Sequence, residues 1–129
     1  MRPITASNET IDRATDFVSK IGKEGVHVLD RAGFIVNALL FPYLNNAVRM
    51  LEEGTASMPD IDAAMKGGCN FPMGPFALLD LVGLDTSLSI LETLHASFGD
   101  DNFAPRPMLR DLVEKGRLGR KTKAGFYEY

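Results

Sequence analysis

The sequence predicts a mainly α-helical module preceded by one separate helix and one short strand. Three observations carry that reading. Apolar residues recur at helical spacing in successive segments between Phe34 and Val113, glycines stand just past the ends of those segments, and hairpin signals are scarce.

Taken in order, Ser7 or Asn8 can cap a first helix with Glu9 in its first turn. Ile11, Ala14, Phe17 or Val18, and Ile21 share a face, and Gly22 is the expected stop. Residues 25–30, Gly-Val-His-Val-Leu-Asp, are short, β-branched and bounded by turn formers, so they read as a strand. A strand needs a neighbour for its backbone groups, so the first thirty residues are expected to belong to something larger. Phe34, Ile35, Ala38, Leu39, Leu44, Ala47, Val48 and Leu51 then make the stripe of a long helix ending near Gly54. Pro42 lies inside that stripe, where its missing N–H and its ring favour a kink.

Ser57-Met58-Pro59-Asp60 is a helix start with a capping serine, and the helix is expected to run to about Lys66. Residues 67–75 hold three glycines and two prolines and read as a loop. Phe76 to Leu81 form a short helix closed by Gly83. Asp85 can cap the next, which carries Leu88, Leu91, Leu94 and Phe98 and stops at Gly99. After a polar connection from Asp100 to Pro107, Met108, Leu109, Leu112 and Val113 mark a last helix before Gly116 and an aromatic, glycine-bounded tail.

At 129 residues, 45% of them hydrophobic and 24% charged, the chain has the composition of a soluble globular protein and can bury a core. No apolar run approaches the roughly 20 residues of a membrane span, and no secretory h-region follows Met1. One cysteine, Cys69, allows no internal disulfide, and a cytoplasmic location is the expectation. The net charge of −3 argues against a nucleic-acid partner. It is unevenly spread: between Arg106 and Lys123 seven Arg/Lys oppose Asp111 and Glu114, a local +5 that leaves −8 elsewhere. Such a run suits a solvated face or contact with a small anionic ligand.

Two histidines and one cysteine at no ligand spacing give no basis for a metal site. His27 and His95 read as structural or solvent-facing, and Cys69 as a small packing residue. No Gly-x-Gly-x-x-Gly turn follows a strand, so the dinucleotide fingerprint is absent. Glu52-Glu53 and Asp100-Asp101 read as solvated pairs. Asn37 stands apart, because an amide in the otherwise apolar start of the long helix must find partners if buried. A structural hydrogen bond and a substrate contact are both open to it.

The motifs Ala32-Gly33-Phe34-Ile35-Val36-Asn37, Pro42-Tyr43-Leu44, Glu52-Glu53-Gly54, Pro72-Met73-Gly74-Pro75, Asp80-Leu81-Val82-Gly83-Leu84-Asp85, Gly119-Arg120-Lys121-Thr122 and Gly125-Phe126-Tyr127 occur in one order along nearly the whole chain. In that order they resemble the C-terminal domain of the 3-hydroxyacyl-CoA dehydrogenase family, with Ala32 where the family has Pro and Lys123 where it has Gly. Within that family it resembles the 3-hydroxybutyryl-CoA dehydrogenases.

The resemblance implies a helical C-terminal dimerisation domain over 31–129, preceded by the last helix and strand of a Rossmann domain over 1–30. It implies an NAD-dependent oxidation of L-3-hydroxyacyl-CoA to 3-ketoacyl-CoA in fatty acid metabolism, by β-oxidation chemistry, in an enzyme whose Rossmann half holds NAD and a His–Glu dyad. That half is expected to lie outside this sequence, so the chain alone is expected to be inactive. The family's substrate-contacting Asn falls on Asn37, and its nucleotide-contacting Lys on Lys121. Acyl-CoA is the implied substrate and a second copy the implied partner. The alternative is a free-standing, non-catalytic helical dimerisation module.

Overall fold

The computed structural model describes Pro3 and residues 5–129. Helix α1 (Asn8–Lys20) is capped by Ser7, whose side chain accepts from the Thr10 N–H, and it ends at Ile21 before Gly22. None of its residues is buried. The stretch expected as a strand forms no more than a single bridge residue, Leu29: residues 23–28 have no regular secondary structure, and no sheet forms among the described residues. The reason is the one its composition anticipated, since β-branched residues extend the chain but only a neighbouring strand satisfies its N–H and C=O groups.

Five helices follow: α2 (Val36–Glu52), α3 (Met58–Cys69), α4 (Pro75–Val82), α5 (Leu84–Phe98) and α6 (Pro107–Glu114), with 3-10 turns over Asp101–Phe103 and Arg120–Thr122. Pro42 sits inside an unbroken α2. Helix α3 runs past the expected end at Lys66 and takes in Gly67 and Gly68 before stopping at Asn70, which adopts the left-handed conformation at φ 54°. Glycine weakens a helix by about 1 kcal/mol without forbidding it, and the left-handed residue that ends this one is Asn70. Gly83, not Asp85, occupies the N-cap of α5, and Asp85 lies in its first turn.

The core is one cluster: Phe41, Leu44 and Val48 of α2, Ile61 of α3, Phe76 and Leu79 of α4, Leu84, Leu91 and Leu94 of α5, Leu109 of α6 and Phe126 of the tail. Each such side chain contributes roughly 1.5–3 kcal/mol by leaving water. Phe76 and Phe126 meet at 4.9 Å between ring centroids, which draws the tail into the same core. No helix among the described residues is long and apolar enough to cross a membrane.

Helices α4 and α6 begin with Pro and have no capping side chain of their own, since Gly74 and Arg106 hold their N-cap positions. Carboxylates from other helices do that work. Asp62 of α3 accepts from the N–H groups of Phe76 (2.8 Å) and Ala77 (3.1 Å), and Glu52 of α2 accepts from the Met108 N–H at 2.9 Å and from the Arg106 guanidinium at 2.7 Å. Glu52 is therefore not a solvated acid, as its pairing with Glu53 suggested, because α6 folds across it. Glu53 answers Arg49 on the surface at 2.9 Å. The buried amide of Asn45 ties the 101–106 connection to α2 through the carbonyls of Asn102 and Ala104 and the N–H of Arg106.

Asp80 does the same for the tail. Only 1% exposed, it accepts from the N–H groups of Phe126 (2.8 Å) and Tyr127 (2.9 Å) and from the Tyr129 hydroxyl (3.1 Å). Deleting this carboxylate leaves those donors inside a packed junction, each costing on the order of 1–3 kcal/mol if unsatisfied. Asp80→Ala is predicted to lower unfolding stability by about 2–5 kcal/mol in urea denaturation, whereas Asp111→Ala on the exposed face of α6 should stay within about 0.5 kcal/mol.

Candidate functional site

The start of α2 is built on two consecutive left-handed residues, Gly33 at φ 73° and Phe34 at φ 49°. The Gly33 carbonyl accepts from both Asn37 N (3.1 Å) and Ala38 N (3.3 Å), which closes the first turn tightly. A Cβ at Gly33 would sit 2.6 Å from Leu94 Cδ2 and 3.0 Å from Ala38 N, so only glycine fits between α2 and α5 here. The turn swings Phe34, Ile35 and Val36 outward. With Val26 and Val28 they line an open cleft of about 320 Å³ in which Asn37 is the one polar lining side chain among the described residues. Asn37 is half-buried, and its amide makes no hydrogen bond to a described residue. Such a lining suits an apolar chain carrying a single carbonyl or hydroxyl.

Lys121 lies in the 3-10 turn of the tail, beside the junction of α4 and α5. The Leu84 N–H donates to the Leu118 carbonyl at 3.2 Å, fixing the tail against α5. The Lys121 ammonium donates to both oxygens of Asp85, at 2.6 and 2.7 Å. This hydrogen bond holds the Asp85 carboxyl below its ordinary value, with slight burial opposing it and the Thr86 N–H reinforcing it. Lys123 adopts φ 60° and donates its N–H to the Arg120 carbonyl, so a lysine occupies the left-handed position that closes the turn.

Four of the seven cations between 106 and 123 face carboxylates: Arg106 on Glu52, Arg110 on Glu92, Arg117 on Glu128 and Lys121 on Asp85. Arg120 lies over the Tyr129 ring, 5.4 Å from its centroid. The basic run is thus largely a set of tethers. A cleft of about 570 Å³ beside Tyr43, Asn46 and Asp101 contains Arg49 and Arg106, both already paired with glutamates.

Asn37 and Lys121 are not brought together: no cleft among the described residues is lined by both. His27 lines a small groove against α1, and His95 is half-exposed 3.7 Å from Asp101. Cys69 is an exposed free thiol at the end of α3, not a packed one. No group of three or more His, Cys, Asp or Glu among the described residues could hold a metal ion. Asp62 and Asp80 escaped sequence reasoning as organising residues. The signal was present in Leu78-Leu79-Asp80-Leu81, where a carboxylate interrupts an apolar run and must be satisfied if buried. The Tyr127 hydroxyl donates to Asp62 at 3.0 Å, and burial, that bond and the neighbouring carboxylates push it far above the ordinary tyrosine range. Burial and nearby Asp62 also raise Tyr43, whose buried hydroxyl has no hydrogen-bond partner among the described residues.

The helical body carries an open apolar cleft at the start of α2 and a pinned basic turn in the tail. Residues 33–129 match the family described as 3-hydroxyacyl-CoA dehydrogenase, C-terminal domain, and the chain belongs to it. A probable 3-hydroxybutyryl-CoA dehydrogenase of Deinococcus radiodurans is 45% identical over 129 residues, covering 100% of this chain and 46% of the relative. The mitochondrial hydroxyacyl-coenzyme A dehydrogenase of Mus musculus is 49% identical over 98% of the chain and 40% of its own length. The crystal structure of (S)-3-hydroxybutyryl-CoA dehydrogenase PaaH1 from Ralstonia eutropha superposes with a TM-score of 0.96 at 41% identity, over 99% of this chain and 45% of that one. The chain therefore spans less than half the length of these relatives.

The Asp85 shift fixes a pH dependence. A carboxyl depressed in the folded state contributes stability that is present above its unfolded pKa and is lost as pH falls through the folded value. With side chains 40% and 48% exposed, the Asp85 and Lys121 pair is solvent-screened and should contribute well under about 1 kcal/mol. Asp85→Asn is predicted to cost that small amount near pH 7 and progressively less as the pH falls below the ordinary aspartate range, read from urea midpoints across pH.

Proposed function

We propose that this chain is the substrate-cleft and dimerisation part of an NAD-dependent L-3-hydroxyacyl-CoA dehydrogenase of fatty acid metabolism, acting in the cytoplasm. Residues 1–30 are the closing helix and strand of its dinucleotide-binding domain and 31–129 its helical domain. The observation that carries the reading is the apolar cleft at the start of α2 with Asn37 as its polar group, in a chain of this family. The exposed apolar surface supports it as well. Phe17 and Ile21 of α1, Val26, Leu29 (68% exposed), Val36 and Leu39 (71% exposed) offer water a large apolar area, which in a soluble protein is a face made to be covered. The N-terminal half of the relatives is the natural cover, and it supplies the second wall of the cleft.

In that setting Phe34, Ile35 and Val36 pack the acyl chain and exclude water. The Asn37 amide donates to the reacting oxygen of the substrate and keeps it in register with the dyad histidine, which takes the hydroxyl proton. NAD, when bound, accepts the hydride from the substrate carbon. Lys121 fits a role toward its phosphates, because its ammonium is half-exposed, held in place, and retains an N–H beyond the two used by Asp85. The chain alone, without the phosphate-binding turn and the dyad, is inactive.

Asn37→Ala in the polypeptide that joins this chain to its dinucleotide-binding half is predicted to lower kcat by about 10²–10³-fold, as loss of one oxyanion donor does. Normal kcat with a reduced melting temperature would place Asn37 in the scaffold and remove the catalytic reading. The same polypeptide is predicted to sediment as a homodimer at micromolar concentration, its helical bodies meeting on surface that carries the exposed Leu81 and Phe98. A strictly monomeric species would count against the dimer.

A further inference from the structure

We infer that Asp85 is a positioning residue for the dinucleotide, acting by holding the Lys121 ammonium at one place on the domain edge. This inference rests on the assignment of Lys121 to the cofactor. Lysine is a compact charge on a flexible four-carbon stem, so an unrestrained Lys121 would lose rotamer freedom on meeting a phosphate. Here that loss is met within the fold. Both Asp85 oxygens take N–H groups of Lys121, at 2.6 and 2.7 Å, and one N–H stays free for a ligand oxygen.

The carboxylate is itself well placed. It belongs to the first turn of α5, where the helix terminus favours negative charge. Gly83 makes room for the arrangement: its backbone stands at φ 100°, ψ 129°, and a Cβ there would lie 3.1 Å from Asp85 Oδ1 and 3.4 Å from Lys121 Nζ. The lysine comes from the opposite side, on a turn pinned by the Leu84 to Leu118 hydrogen bond and by Asp80 under Phe126 and Tyr127. Asp85 and Lys121 are thus each rigidly based and meet at the surface, half-exposed.

Electrostatics alone predicts the opposite effect. An aspartate beside a phosphate site repels the ligand, so removing its charge should tighten dinucleotide binding. Positioning predicts weaker binding. In the complete polypeptide, NADH affinity is measured by fluorescence titration for the parent, Asp85→Asn, Asp85→Glu, Lys121→Ala and the Asp85→Asn/Lys121→Ala double variant, with melting temperatures and the acyl-CoA KM alongside.

Asp85→Asn should raise the NADH Kd by about 2–10-fold, the equivalent of immobilising one long side chain, with acyl-CoA KM unchanged. Asp85→Glu should recover much of the loss, and Asp85→Asn should add nothing once Lys121 is alanine. NADH bound as tightly or more tightly by Asp85→Asn, while Lys121→Ala weakens it, overturns the role of Asp85 and leaves the cofactor assignment standing. An unchanged Kd in Lys121→Ala removes the cofactor assignment and this inference with it.

Discussion

The carboxylate of Asp80, sealed under the tail, is the interaction on which the rest of the domain depends. A charged group that is 1% exposed is tolerated only when its oxygens are fully engaged. The Phe126 and Tyr127 N–H groups and the Tyr129 hydroxyl engage them. Beyond the 3-10 turn over Arg120–Thr122, the tail is limited in regular structure to isolated bridges from Gly119 to Ala124 and from Ala124 to Glu128. It is ordered by the acceptor beneath it and by the burial of Phe126.

Asp62 and Glu52 extend the same device. Each carboxylate leaves its own helix to cap a neighbour whose N-terminus begins with proline and lacks a capping side chain. Local capping would stabilise single helices and leave their mutual angles to the apolar contacts. Capping from a distance couples α3 to α4 and α2 to α6, so the hydrogen bonds that complete a helix also set where it sits. Tyr127 joins the two systems, giving its N–H to Asp80 and its hydroxyl to Asp62. The carboxylates near the core therefore serve as joints.

These joints place the two residues with proposed roles. Lys121 inherits its position from the tail that Asp80 holds, and Asn37 inherits its own from the tight left-handed turn at Gly33 and Phe34, which presses against Leu94 of α5. Lys121 does not line the cleft of Asn37. The apolar faces of α1, Leu29, Val36 and Leu39 stay open to solvent, so the core stabilises the helical body while α1 and the extended segment hold no fully buried residue.

The amino-acid sequence by itself determined the helices, because each is a local pattern: Ser7 and Ser57 as caps, leucines at helical spacing, and glycine after most apolar runs. It also marked the motifs that identify the family and drew attention to Asn37 as an amide in apolar company. What only the tertiary structure decided are the long-range pairings. Asp80 with the tail N–H groups 46 and 47 residues away, Glu52 with Arg106 and Met108, and Lys121 with Asp85 across 36 residues have no local signature. A carboxylate reads the same in sequence whether it faces water or a buried N–H, and burial is settled by which helix folds over it. The segment 25–30 fails as a strand for the same reason: its residues favour extension, and the partner that would make it a strand is a matter of tertiary contact.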